Sequence, residues 1–229
     1  MDRLPTGCPP IDELLGGGFR FGEVSLVYGE AATGKTTLAL SCVTGHLQAD
    51  PWAKAFYVDS DWKLSTPRMV QIADGDESLL ERLLIWRPTD FQQQTEVIED
   101  ISDLLPASNT PLIVDSVTGL YRLEAGDPRR TFKTNKELNR DLGFLAETAK
   151  AKQAAVLVTG QVRSILGETP QVEPVAHRLL RYWSETVLKL ESTSIPAVRQ
   201  ATLEKPAAES RSVRFRLAES GLEEVERPW

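Results

Sequence analysis

The feature that most limits what this chain can fold into is ten residues long. It is "YGEAATGKTT", residues 28–37, set directly after the apolar run "EVSLV". Gly29 to Thr36 has the spacing G-x-x-x-x-G-K-[ST], with a strand-like run before it and a helix-compatible run after it. The glycines let the loop curl so that consecutive backbone N–H groups turn inward, and a helix beginning near Gly34 adds the positive end of its dipole. The concavity so formed suits phosphate oxygens. Gly29, Glu30, Ala31, Ala32, Thr33, Gly34, Lys35, Thr36 and Thr37 are its expected lining; Lys35 brings a cation, and the Thr36 hydroxyl a ligand for Mg²⁺. A strand that hands over to a helix this way opens a βαβ unit, which commits the chain to a largely parallel sheet covered by helices.

The rest of the chain follows that commitment. "AFYVDS" and "LLIWRP" read as strands, and "PLIVDSVT" is apolar enough for a strand buried on both faces. A long helix follows, with Leu138, Leu142, Leu145 and Ala149 on one stripe, and then the buried strand "AAVLVTGQ". Right-handed crossovers are expected between them. The closing runs "ETVLKLE", "VRQATLEK" and "SVRFRLAE" alternate apolar and polar residues, the pattern of half-exposed antiparallel strands extending the sheet edge. With no internal repeat and no second cradle, residues 1–229 are expected to form one α/β P-loop domain with C-terminal antiparallel strands.

The second half of such a site is an acid ending an apolar strand. "PLIVDS" supplies Asp115, suited to hold Mg²⁺ beside Thr36; an aspartate there also suits capping the turn that follows. Two strands separate the cradle from Asp115, unlike small GTPases, and "NKEL" at 135–138 ends in leucine where a base-reading NKxD needs aspartate. Cys8, Cys42, His46 and His177 have no zinc-site or disulfide spacing. No apolar run approaches a membrane span, and "MDRLPTGCPPIDELL" lacks a signal-peptide core, so the expected location is cytoplasmic with no membrane partner. The formal net charge of −7 excludes a chain coated in basic residues but not a local basic patch.

Taken together, "TGCPPIDELLGGGFRFGEVSLVYGEAATGKTTLA", "FYVDSDWKLSTPRM", "LIVDSVTGLYR" and "VLVTGQV" resemble, in order and spacing, the core of RecA-type recombinases. The closing segment, "LLRYWSETVLKLE" through "VRFRLAESGLEE", is similar to archaeal paralogues of that family, and the resemblance covers essentially the whole chain. It implies a RecA-like core that takes ATP and Mg²⁺. It also implies roles for single residues. Gln161 falls where the family senses the γ-phosphate and relays its presence to a DNA-binding loop; alone, it would read as a strand-end amide paired with backbone. Arg68 falls where a guanidinium stacks on adenine. Asp61 stands where the family carries a glutamate that orients the attacking water, and Trp62 replaces a usual glycine beside it.

The segments "YRLEAGDPRRTFKTNK" and "RSILGETPQVEPVAHR" correspond to the two loops that face DNA in the family. Arg122, Arg129, Arg130, Lys133, Arg163 and Arg178 are then the candidate phosphate contacts, although Glu124, Asp127, Glu168 and Glu173 offset their charge. The implied partners are DNA, single-stranded in the first instance, and other recombination proteins. Family filaments form through a segment and helical domain preceding the core; here the core signature begins at Thr6, which sets an expectation of monomers or small oligomers. Lys205 is a candidate for a contact across subunits. The expected activity is recombination and repair with slow ATP hydrolysis, because Asp61 is one methylene short. Two other readings stay open: a KaiC-like signalling ATPase that controls protein assembly without DNA, and a P-loop small-molecule kinase. The latter is disfavoured by the lack of an arginine-rich lid between cradle and Asp115.

Overall fold

The computed structural model describes residues 2–107, 109–124, 128–165, 171–174, 176–206 and 210–225, with the side chains at 128–130, 163–165 and 171–174 outside the description. The chain opens with β1 (Arg3–Leu4), α1 (Pro9–Leu15) and β2 (Phe19–Arg20), then β3 (Val24–Gly29), α2 (Lys35–Ala49), β4 (Ala55–Asp59) and α3 (Thr66–Ile72). A 3₁₀ turn (Glu77–Arg82) leads to β5 (Leu83–Trp86), α4 (Phe91–Leu104), β6 (Pro111–Asp115), α5 (Gly119–Glu124), α6 (Pro128–Lys152) and β7 (Ala155–Gly160). The last part holds β8 (Val162–Ile165), β9 (Gln171–Pro174), α7 (His177–Trp183), β10 (Thr186–Ser192), β11 (Val198–Lys205), β12 (Arg211–Ala218) and β13 (Gly221–Glu224).

Nine strands form one sheet in the order β13-β12-β11-β10-β3-β7-β6-β4-β5. Successive side chains on a strand point to opposite faces, so a strand buried on both must be apolar throughout. β3 shows the consequence: Val24, Leu26 and Tyr28 join one core, and Val27 the other. β4, β6 and β7 divide in the same way. The first core packs α1, α2 and α3 on the sheet and takes in both free thiols, Cys8 and Cys42. The second lies under α4, α5, α6 and α7, where Leu138, Leu142, Leu145 and Ala149 are all buried, as their periodicity predicts. No described helix is long and apolar enough to cross a membrane.

Two local expectations change. "ETVLKLE" does not belong to the antiparallel edge: β10 runs parallel to β3, Thr186 opposite Ser25 through Leu190 opposite Gly29, and only its other side meets an antiparallel strand, β11. Val187, Leu188 and Leu190 are buried; the alternating polar residues Lys189 and Glu191, paired at 2.7 Å, come at the end of the strand that opens toward the loops. The antiparallel extension is therefore β11, β12 and β13. The segment from Tyr121 to Lys136 is not a loop either, since α5 and α6 account for it apart from 125–127, which lie outside the described residues. Its proposed counterpart after Gln161 contains an antiparallel pair, β8 with β9.

Strand polarity positions the site. β3, β4, β6 and β7 all end at the same edge, so the phosphate loop, Asp61, Asp115 and Gln161 converge where a parallel sheet usually holds its ligand.

Candidate functional site

The loop between β3 and α2 curls as its spacing requires. Gly34 has φ of +100°, a backbone angle that strains any side chain, and a Cβ there would fall 2.6 Å from Leu217 Cδ2, which would have to shift. α2 has no side chain capping its N-terminus, which leaves its first N–H groups aimed into the loop. Lys35, nearly buried, donates from Nζ to the carbonyls of Gly29 (2.8 Å) and Glu30 (2.6 Å). Burial, with Lys63 nearby, lowers its ammonium to about 8.

Asp115 closes the other side. One of its oxygens accepts hydrogen bonds from Thr36 Oγ1 (2.6 Å) and Tyr57 Oη (2.9 Å), and the other accepts from Thr159 Oγ1. It is buried, and these hydroxyls hold its carboxylate in one orientation. Burial and the adjacent carboxylate push the Tyr57 phenol well up, so it remains a donor. Thr36 and Asp115 thus present hard oxygen donors side by side at a helix N-terminus, a set that suits Mg²⁺ better than a softer metal.

Asp61 follows β4 on a braced turn. The buried Asp59 carboxylate accepts from the backbone N–H of Lys63 (2.9 Å) and Leu64 (3.1 Å) and pairs with Arg87 (3.1 Å). Trp62 adopts φ of +55°, the left-handed region that suits a glycine; its indole N–H donates to Pro88 O at 3.0 Å, and Arg87 lies 5.8 Å from its ring centroid. The Asp61 carboxylate itself accepts from Lys63 Nζ (2.5 Å), Gln161 Nε2 (2.9 Å) and Ser116 Oγ (3.1 Å). Gln161 in turn accepts from Arg122 Nη1 at 2.5 Å.

The structure therefore brings Lys35, Thr36, Asp61, Asp115 and Gln161 together. Arg68 lies at the rim. Its guanidinium donates to the carbonyls of Glu219 (2.7 Å) and Ala218 (3.3 Å) and sits 3.5 Å from Thr37 Oγ1. Of the basic candidates, Arg122 reaches the site, Lys133 pairs with Glu137 at 3.6 Å, and Arg178 is exposed on α7. Arg129, Arg130 and Arg163 lie in α6 and β8, with their side chains outside the description. Lys205 faces its own chain, donating to Ser184 O (2.5 Å) and Arg181 O (3.2 Å) at the end of α7.

Tyr57, Thr159, Ser116, Lys63 and Arg199 are site residues that motif reading passes over; Arg199 donates from Nε to Ala32 O at 3.2 Å. Tyr57 and Thr159 interrupt otherwise apolar strands, a signal that only strand order turns into contact with Asp115. A cavity of about 1100 Å³ lined by Phe21, His46, Trp52, Phe56 and Leu104 shares none of these residues and lies at the opposite ends of the strands. The converging charges and hydroxyls, not that apolar hollow, mark the functional site.

A strand–loop–helix cradle facing an acid one strand removed, with β7 lying between β3 and β6, defines a P-loop nucleotide-binding core. Comparison with known proteins narrows the class. The Rad51 family model matches residues 1–225. The DNA repair and recombination protein RadB of Methanococcus maripaludis (strain C5 / ATCC BAA-1333) is 34% identical, over 96% of this chain and 99% of its own. That of Thermococcus kodakarensis is 35% identical over 97% and 100%. The solved structure titled "Crystal structure of the RadB recombinase" superposes with a TM-score of 0.81 at 33% identity, covering 97% of this chain and 100% of the other. The chain belongs to the Rad51 family and, within it, to the RadB recombinase paralogues.

Proposed function

We propose that this chain is an ATP-binding recombinase paralogue that acts inside the cell in DNA repair and homologous recombination, contacts single-stranded DNA, and hydrolyses ATP slowly. The observation that carries the reading is the bridge from Asp61 through Gln161 to Arg122, which ties the place where a γ-phosphate would lie to the helix preceding the basic segment. The relatives named above are DNA repair and recombination proteins, which supports the same direction.

On this reading, the α2 N-terminus and the Lys35 ammonium receive the β- and γ-phosphates, for which Lys35 exchanges its bonds to Gly29 and Glu30. Thr36 and Asp115 would hold Mg²⁺, which supplies charge neutralisation at those phosphates. Asp61 is the acceptor that orients a water. It is short for that task and its oxygens are already engaged by Lys63, Gln161 and Ser116, which supports slow turnover. Arg122, Lys133 and Arg178 are the described candidates for DNA phosphates.

The test is binding of single-stranded DNA with ATP, ADP and no nucleotide, across a range of salt. ATP-dependent binding that weakens with salt supports the reading. Binding of ATP with no DNA response at any salt would instead favour a signalling ATPase that works through protein partners.

A further inference from the structure

Lys63 has no part in the P-loop motif, yet its ammonium enters the site. The turn that carries it is fixed at both ends. Asp59 holds its backbone N–H and that of Leu64, while Arg87 bonds both Asp59 and Leu64 O (2.8 Å). From that rigid base a long, half-exposed stem reaches inward to put Nζ 2.5 Å from Asp61 Oδ2. The same oxygen accepts from Gln161. Lys63 is also close enough to Lys35 for the two positive charges to disfavour one another. Two ammonium groups, of Lys35 and Lys63, thus share one small volume with the carboxylates of Asp61 and Asp115, and a phosphate entering beside them would offer Lys63 a second, more highly charged acceptor.

We infer that Lys63 is a γ-phosphate contact supplied by the chain itself, moving from Asp61 to the terminal phosphate when ATP rather than ADP is bound. This rests on the ATP reading above. The exchange is chemically reasonable because a terminal phosphate is a more highly charged acceptor than one carboxylate, and an ammonium on four rotatable bonds relocates by a few ångströms with the backbone fixed. It has a second effect: releasing Lys63 leaves Asp61 with one donor fewer, and so freer to accept from a water. One cation would then both recognise the third phosphate and unload the acid beside it.

The experiment compares equilibrium binding of Mg²⁺–ADP and of the Mg²⁺ complex of a β,γ-imido ATP analogue. Lys63→Gln should weaken the analogue about tenfold while leaving ADP within about twofold, and Lys63→Arg should restore the analogue. Asp61→Asn, which frees the ammonium and removes the protein's own negative charge from beside the γ-phosphate, should tighten the analogue. Loss of both nucleotides equally in Lys63→Gln, or of neither, overturns the inference. So does weakening of the analogue by Asp61→Asn to match Lys63→Gln, which would make Lys63 a partner of Asp61 only. Wild-type protein that binds neither nucleotide overturns the ATP reading and the inference together, whereas wild-type binding of both with Lys63→Gln unchanged overturns the inference alone.

Discussion

Gly119 offers a way to move Asp61 without altering it. A Cβ built on Gly119 would fall 1.9 Å from Asp61 Oδ1 and 3.1 Å from both Asp61 Cγ and Ser116 Oγ. Carbon and oxygen tolerate approach to about 3.3 Å, so Gly119→Ala must push that carboxylate oxygen back by roughly 1.4 Å. Asp61 turns on two side-chain bonds, so the carboxylate gives way and the backbone stays. The residue begins α5, where alanine favours the helix by up to about 1 kcal/mol over glycine, offsetting part of the cost. The fold should therefore survive, with Tm within about 4 °C of wild type. Nucleotide affinity should stay within about threefold, because the atoms nearest the added methyl belong to Asp61 and Ser116, not to Lys35, Thr36 or Asp115. Misplacing a positioned group by about 1 Å costs on the order of 10²-fold in rate, or about 2.7 kcal/mol of barrier. Phosphate release from labelled ATP, with protein in excess over hours, is the assay. Unchanged turnover in a folded Gly119→Ala protein would refute the assignment of Asp61 as the residue that orients water.

Lys35→Ala should abolish measurable Mg²⁺–ATP binding in calorimetry with the fold kept. In wild type, affinity should hold below pH 8 and fall by up to about tenfold per unit above it, because the free ammonium titrates at about 8 and must be charged to meet phosphate. Replacing Arg122, Lys133 and Arg178 singly should weaken DNA binding uniformly across sequences, each lowering the slope of log K against log[salt] by roughly one; an unchanged slope removes that residue from the interface. Asp141, fully buried between α4 and α6 with Thr95 as its donor, has its carboxyl raised to about 7 by burial. An unfolded aspartate releases its proton near 3.9, so the stability gained from the buried acid is complete below about pH 4 and lost as pH rises through 7, up to about 4 kcal/mol. Asp141→Asn should flatten that decline in urea titrations at pH 5, 6, 7 and 8; parallel curves would show that Asp141 ionises normally.

The parts of this molecule legible in its sequence are those where chemistry and local geometry coincide. The cradle declares itself because glycine spacing, a lysine and a hydroxyl must be contiguous to surround phosphate, and β3 and α2 lie where that requires. The stripe on α6 and the buried strands β6 and β7 declare themselves because burial on one or both faces dictates periodicity. β10 was harder to read. Its alternation is that of a half-exposed strand, but its polar positions reflect nearness to the loop end of the sheet, and its direction is set by β3 rather than by its own residues. The support of Asp115 by Tyr57 and Thr159 was equally hidden. Those residues are 58 and 44 positions away, and only the order β7-β6-β4 places them around it. The departure of Trp62 from glycine is a third kind of case. The sequence marks the anomaly, while the structure shows the positive φ retained and the indole anchored on Pro88 and stacked near Arg87.

The hydrogen-bond chemistry of Gln161 determines what can pass through it. Arg122 is a donor without an acceptor, and the Asp61 carboxylate is an acceptor without a donor. The amide is thereby held with its oxygen toward Arg122 and its nitrogen toward Asp61, since the flipped amide would set donor against donor and acceptor against acceptor. An amide locked at both ends transmits a change at either one. If Asp61 turns toward a water or a terminal phosphate takes its donors, Nε2 must follow or find another acceptor, and Oε1 then shifts under Arg122 at the end of α5. On the reading proposed above, a change at a bound nucleotide would reach Arg122, in the last turn of α5, through two hydrogen bonds. A carboxylate or an ammonium in place of Gln161 would bond one neighbour and repel the other. A neutral side chain with one donor end and one acceptor end is what this position requires.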